Sequence, residues 1–97
     1  MESNEINKFL AEYLGWKYDE DWGWWDKPDG GMVMDGLYFA SDWNWFQWAF
    51  QKFLQGKSLP MKNWYIEEIQ ESFLKNDIQK ACIHLIQAIK ENENKSN

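Results

Sequence analysis

A chain of 97 residues has room for one domain and one core, and buries about 60 to 65 % of the surface its unfolded form exposes. Its composition is 19 % aromatic with eight tryptophans, so large rings, each able to hide roughly 150 to 250 Å², must supply much of that burial. All ten basic residues are lysines, and without arginine, the side chain suited to bidentate phosphate and guanine contacts, direct nucleic-acid binding is not expected.

The net charge of -6 is unevenly spread. Asp19, Glu20, Asp21, Asp26, Asp29, Asp35 and Asp42 face only Lys27 between residues 19 and 42, and the two flanks cancel. Cys82 is the only cysteine, which excludes an intramolecular disulfide and a cysteine-rich zinc site and fits a reducing compartment. The start Met1-Glu2-Ser3-Asn4-Glu5 has neither the basic stretch nor the apolar run of a signal peptide. No segment approaches about 18 apolar residues, so the expectation is a cytoplasmic chain without membrane contact.

Ile6, Phe9, Leu10, Tyr13 and Leu14 repeat at helical spacing and predict a first helix over 4–14. Ser3 or Asn4 is its cap and Gly15 its left-handed stop. Aromatic and β-branched residues follow, broken by the turn chemistry of Lys27-Pro28-Asp29-Gly30-Gly31. They predict a hairpin of 22–26 with 32–39, joined by a short strand at 16–18, with a bulge or turn at Asp35-Gly36. Ser41 or Asp42 caps a second helix running to about Leu54, stopped by Gly56, and Pro60 marks the loop beyond. Ile66, Ile69, Phe73 and Leu74 predict a third helix over 62–75. Ile78, Ala81, Cys82, Leu85, Ile86 and Ile89 predict a fourth over 77–91, capped at Asn76-Asp77, with a polar tail that frays. The expected class is α+β, with an N-terminal helix, a small antiparallel sheet, a helix packed on the sheet and two C-terminal helices in a single domain.

On the second helix Trp43, Phe46, Phe50, Phe53 and Leu54 fall in one arc, with Trp45 and Trp48 opposite. Such a helix is either sandwiched between layers or presents one face to a partner. If the C-terminal helices leave Trp45 and Trp48 uncovered, a homodimer is expected.

Residues that could carry chemistry are few. His84 is the only histidine, and its two-residue spacing from Cys82 points the pair in different directions on a helix, so no metal site forms there. A nucleophile, base and acid cannot be assembled around it. Asp19, Asp21 and Gly23 have part of the spacing of a calcium loop, but Trp24 and Trp25 stand where its ligands would continue. Paired carboxylates beside tryptophans could also serve glycoside hydrolysis, for which so small a domain offers no deep cleft. No catalytic residue, metal or cofactor is expected.

Acidic and aromatic residues are instead interleaved. Tryptophan is enriched at binding hot spots and clustered carboxylates steer basic partners, so the candidate binding residues are Asp19, Glu20, Asp21, Trp22, Trp24, Trp25, Asp26, Asp42, Trp45 and Trp48. The period-2 rule puts Trp22 and Trp24 on one face of the hairpin and Trp25 on the other. The competing reading sends alternate tryptophans into the core and leaves the acids as a soluble edge.

The stretch Ile6-Asn7-Lys8-Phe9-Leu10-Ala11-Glu12-Tyr13-Leu14-Gly15-Trp16-Lys17 resembles the opening of small phage and prophage proteins of the phage ABA-sandwich type, in which a helix ends in a Leu-Gly-Trp-like step into a tryptophan-rich strand. Ser41-Asp42-Trp43-Asn44 is similar to the family's capped start of the helix after its sheet. The resemblance covers the first half of the chain, and the second half departs from it. It implies a phage or mobile-element origin and, with no catalytic residues to carry over, binding to a host protein. The residues and the resemblance together lead to a non-catalytic module that inhibits or modulates a host factor with a basic surface. Two alternatives stand beside it: a tryptophan-lined pocket for a flat or sugar-like ligand, and a structural homo-oligomer.

Overall fold

The computed structural model describes residues 2–34, 36–55 and 63–95. Among these the chain forms α1 (Ser3–Tyr13), β1 (Lys17–Asp19), β2 (Trp24–Asp26), β3 (Met32–Val33), α2 (Trp43–Gln55), α3 (Asn63–Leu74) and α4 (Ile78–Lys95). The fold is α+β: four helices and one antiparallel sheet in the order β1-β2-β3.

The helix α1 begins one residue earlier than its sequence predicts, because Glu2 rather than Ser3 or Asn4 is the cap. The Glu2 N–H donates to the Glu5 carboxylate at 3.3 Å, the spacing of a capping box. At the other end the Trp16 N–H reaches the Ala11 carbonyl and the Gly15 N–H the Glu12 carbonyl, both at 3.0 Å, a Schellman closure that requires the φ of +85° at Gly15. This stop turns Trp16 directly inward, where it is 7 % exposed.

The short strand expected at 16–18 is real as β1, paired Lys17↔Asp26, Tyr18↔Trp25 and Asp19↔Trp24. The hairpin arms are shorter than predicted. Trp22 belongs to the β1–β2 turn, and on the far arm only Met32 and Val33 pair, opposite Asp26 and Trp25. The predicted strand over 32–39 is cut short because Asn7 of α1 takes over its later backbone groups. The Asn7 amide donates to the Leu37 carbonyl at 3.0 Å, and its oxygen accepts the Ala40 N–H at 2.9 Å. Phe39, held between those two bonds, drops fully into the core. Asp35, half of the expected Asp35-Gly36 feature, lies outside the described residues, as do Gly56 and Pro60.

Of the two candidate caps for α2, Asp42 does the work, accepting the Asn44 N–H at 2.9 Å. Phe46, Ala49 and Phe53 of α2 are buried, with α4 packed against the helix. Its opposite side meets the sheet layer through Trp16, ahead of β1, which contacts Trp45 and Trp48 at centroid distances of 5.8 and 6.1 Å. The helix is thus packed by α4 on one side and engaged by Trp16 on the other, where Trp48 remains 41 % exposed.

A second Schellman closure joins α3 to α4. The Asp77 N–H bonds Ser72 at 2.8 Å and the Asn76 N–H bonds Phe73 at 3.0 Å, with Asn76 at φ +56°. Asp77 then caps α4 through the Lys80 N–H at 3.1 Å. The central helix is α4, whose Ala81, Cys82, Leu85, Ile86, Ala88 and Ile89 are buried against α1, α2 and α3. It runs on to Lys95, past the predicted end, and residues 96–97 lie outside the described set. The predicted buried stripe of α3 holds only in part. Ile69 is buried and Ile66 half-buried, whereas Phe73 and Leu74 are exposed at 55 % and 83 %; Ser72, outside the stripe, is buried as well.

Candidate functional site

The sheet pairing sorts the hairpin residues between two faces. Tyr18, Trp25 and Val33 are cross-strand neighbours on the inner face, where Trp25 and Val33 pack on the core and the Tyr18 and Trp25 rings lie 5.4 Å apart. Lys17, Asp19, Trp24, Asp26 and Met32 share the outer face by the same register. Trp22 joins this outer face from the turn. Its ring stacks on Trp24, with centroids 5.3 Å apart and planes inclined by 10°.

Local hydrogen bonds hold the stack. Asp19 folds its carboxylate back onto the β1–β2 turn, accepting the N–H groups of Asp21 at 3.0 Å and Trp22 at 3.3 Å. The Gly23 N–H closes the turn on the Asp19 carbonyl at 2.8 Å. The Trp24 indole N–H donates to the Asp26 carboxylate at 3.1 Å, which fixes that ring on the strand. Glu20 and Asp21 project from the turn, exposed, beside a Trp22 that is 69 % exposed.

Of the ten candidate residues, the fold therefore brings together Asp19, Asp21, Trp22, Trp24 and Asp26 on the outer side, whereas Glu20 of the same turn lines the cleft on the inner side. Trp25 lies on the inner face, as the period-2 rule requires. Asp42 is occupied as the cap of α2. Trp45 is half-buried, with edge-on contacts to Tyr38 and Phe39 at 5.4 and 5.2 Å. Trp48, 41 % exposed, packs on Trp45 at 5.1 Å, and the Lys27 ammonium lies over both its ring and that of Trp16, at 5.4 and 5.5 Å. Met32 was not singled out in the sequence, yet the Asp26↔Met32 pairing sets it, exposed, beside the outer-face acids. Only the register across the turn could have revealed it.

The inner face also borders a cleft of about 530 Å³ between α1 and β1, with Trp16, Tyr18 and Trp25 as aromatic walls and Glu12, Lys17 and Glu20 among its polar ones. Elsewhere, His84 is half-buried, with Nε2 3.7 Å from a Glu68 carboxylate oxygen and its ring edge-on to Trp64 at 5.7 Å. Among the described residues neither of its nitrogens has a hydrogen-bond partner, and no group of three or more potential metal ligands occurs. Cys82 is fully buried, donates its S–H to the Phe39 carbonyl at 3.3 Å, and has its thiol pushed up to about 12 by that burial. It is a packing residue with a weak hydrogen bond. No described helix is long and apolar enough to cross a membrane.

Comparison with known proteins finds no matching family model, no matching curated protein and no matching solved structure.

Proposed function

We propose that this chain is a non-catalytic protein-binding module, of the kind phage and mobile elements use to inhibit or modulate a host factor, and that its outer sheet face meets a basic surface on that partner. The observation that carries the reading is the Trp22–Trp24 stack. An indole exposed at 69 % and lying flat on a second indole is apolar area left in water, while Asp26, which accepts the Trp24 indole N–H, and the exposed turn residue Asp21 put negative charge beside it. Such a face suits a partner whose lysines or arginines reach the carboxylates while their stems or guanidinium planes lie on the rings. The Leu14-Gly15-Trp16 step and its likeness to the phage ABA-sandwich opening support the phage origin. On this reading the module works in the cytoplasm, without cofactor, membrane or direct nucleic-acid contact.

The test is affinity capture from a host-cell lysate with wild type and Trp22→Ala run side by side. The reading expects a basic protein retained by wild type, eluted by raised salt and lost with the variant. Equal retention by both chains would refute it.

A second reading, binding of a flat or sugar-like small molecule, has the inner cleft in its favour. About 530 Å³ lies within the roughly 300 to 1,000 Å³ of small-ligand sites, and three aromatic walls could take a ring face. Titration with soluble saccharides, followed by tryptophan fluorescence in wild type and Trp25→Phe, separates it from the first reading.

A further inference from the structure

A groove of about 450 Å³ runs between α2 and α3, walled by Trp43, Phe46 and Phe50 on one side and Ile69, Phe73 and Leu74 on the other. Its walls are fixed in advance. The Trp43 indole N–H donates to the Asn76 side-chain oxygen at 2.9 Å, and its ring meets Phe73 edge-on at 4.9 Å and Phe46 at 5.5 Å. Phe46 in turn stacks on Phe50 at 5.6 Å. Leu74 is left 83 % exposed, and Phe73 is 55 % exposed despite its contact with Trp43.

The geometry points to a second copy of this chain as the occupant, related by a two-fold axis. Charge is the first argument. Among the described residues the polar ones lining the groove are the neutral Gln47 and Gln70, and the neighbouring Glu71 and Lys75 of α3 pair with one another at 2.9 Å. The whole net charge of -6 sits between residues 19 and 42, in the sheet and its connections. Two copies meeting through their acidic faces would repel, whereas two meeting through α2 and α3 bring no like charges from the described groove lining together. Shape is the second argument. A two-fold interface needs a patch that carries both its projection and its recess, since each residue i that contacts j is matched by j contacting i. Leu74 is the most exposed large apolar side chain of the described residues and stands on the rim of the groove, so one patch carries both parts. Self-association is thereby moved away from Trp45 and Trp48, which Trp16 and Lys27 already engage.

Sedimentation equilibrium over a wide concentration range tests the assignment, with wild type, Leu74→Glu and Trp22→Ala compared. Leu74 is so exposed that its replacement leaves the monomer folded, which the circular dichroism of each variant verifies. Wild type should approach twice the 11.8 kDa chain mass, and Trp22→Ala should match it. The symmetric interface contains Leu74 twice, so Leu74→Glu should weaken dimerisation about a hundredfold or more. A wild-type mass that stays monomeric into the high micromolar range would overturn the proposal. So would a dimer that survives Leu74→Glu, or a monomer that takes up a fluorescent apolar dye which Leu74→Glu releases, since the last assigns the groove to a small apolar ligand.

Discussion

Trp22 lies flat on Trp24, with centroids 5.3 Å apart and planes within 10°, although only Trp24 belongs to a strand. The pair gives the outer face a rigid apolar platform. Trp22→Ala removes the exposed member without touching the core, so folding stability should stay within about 0.5 kcal/mol of wild type in a urea melt. The far-ultraviolet exciton signal of the coupled indoles should disappear in the same variant. A large loss of stability would mean that Trp22 is structural.

Asn7 is the residue that ends the sheet and places Phe39. Its two side-chain bonds, to the Leu37 carbonyl and the Ala40 N–H, are partly buried, and Asn7→Ala should cost about 2 to 3 kcal/mol. Asn7→Asp keeps the acceptor for Ala40 but loses the donor to Leu37, so its cost should show how the two bonds share the effect. Chemical denaturation of the two variants measures both.

Cys82 should be silent toward thiol reagents in the native protein and react only as the chain unfolds, because it is buried and its thiol is pushed up to about 12. The sign of its pH effect follows. Above the ordinary thiol value of 9.0 the unfolded chain loses its proton while the native chain keeps it, so the unfolded state binds fewer protons and stability falls as pH rises from there toward 12. Cys82→Ala should lose this alkaline part of the stability profile and cost about 1 to 2 kcal/mol in packing at neutral pH. Binding should be unchanged, and unchanged again in His84→Ala. Loss of binding in either variant while it stays folded would contradict a non-catalytic reading.

Gly15 cannot be replaced cheaply. Its φ of +85° is left-handed, and a Cβ there would stand 3.3 Å from Pro28 Cγ in the β2–β3 turn. Gly15→Ala should lower stability by about 1 to 2 kcal/mol, read as a drop in melting temperature. A neutral result would mean that the step from α1 to Trp16 can relax.

The helices were legible in the sequence because their apolar spacing and stops are local. Gly15, Asp42 and the Asn76-Asp77 step act where the sequence puts them, each through bonds within a few residues. The failures involve distant partners. The strand predicted over 32–39 ends early because Asn7, some thirty positions earlier, takes the Leu37 carbonyl and the Ala40 N–H. Phe73 and Leu74 share the helical spacing of Ile66 and Ile69, and that spacing cannot say which side of α3 receives α4. At the candidate site the alternation of Trp22, Trp24 and Trp25 was readable from period 2. That Asp42 is a cap was equally local. The place of Met32 beside Asp26 was not readable, since the register across a five-residue turn decides it.

The central claim is that the outer sheet face binds a basic protein through carboxylates that speed encounter and an indole that prolongs the complex. Asp19 must be left intact in testing it, because its carboxylate holds the Asp21 and Trp22 N–H groups. The most direct measurement is the surface-binding kinetics of the captured partner at several ionic strengths, comparing wild type, the triple variant Glu20→Gln/Asp21→Asn/Asp26→Asn, and Trp22→Ala. The triple variant should associate more slowly with a flatter salt dependence, and Trp22→Ala should dissociate faster by about thirtyfold, a hot-spot loss of about 2 kcal/mol. Wild-type association, salt slope and dissociation in both variants would contradict the claim.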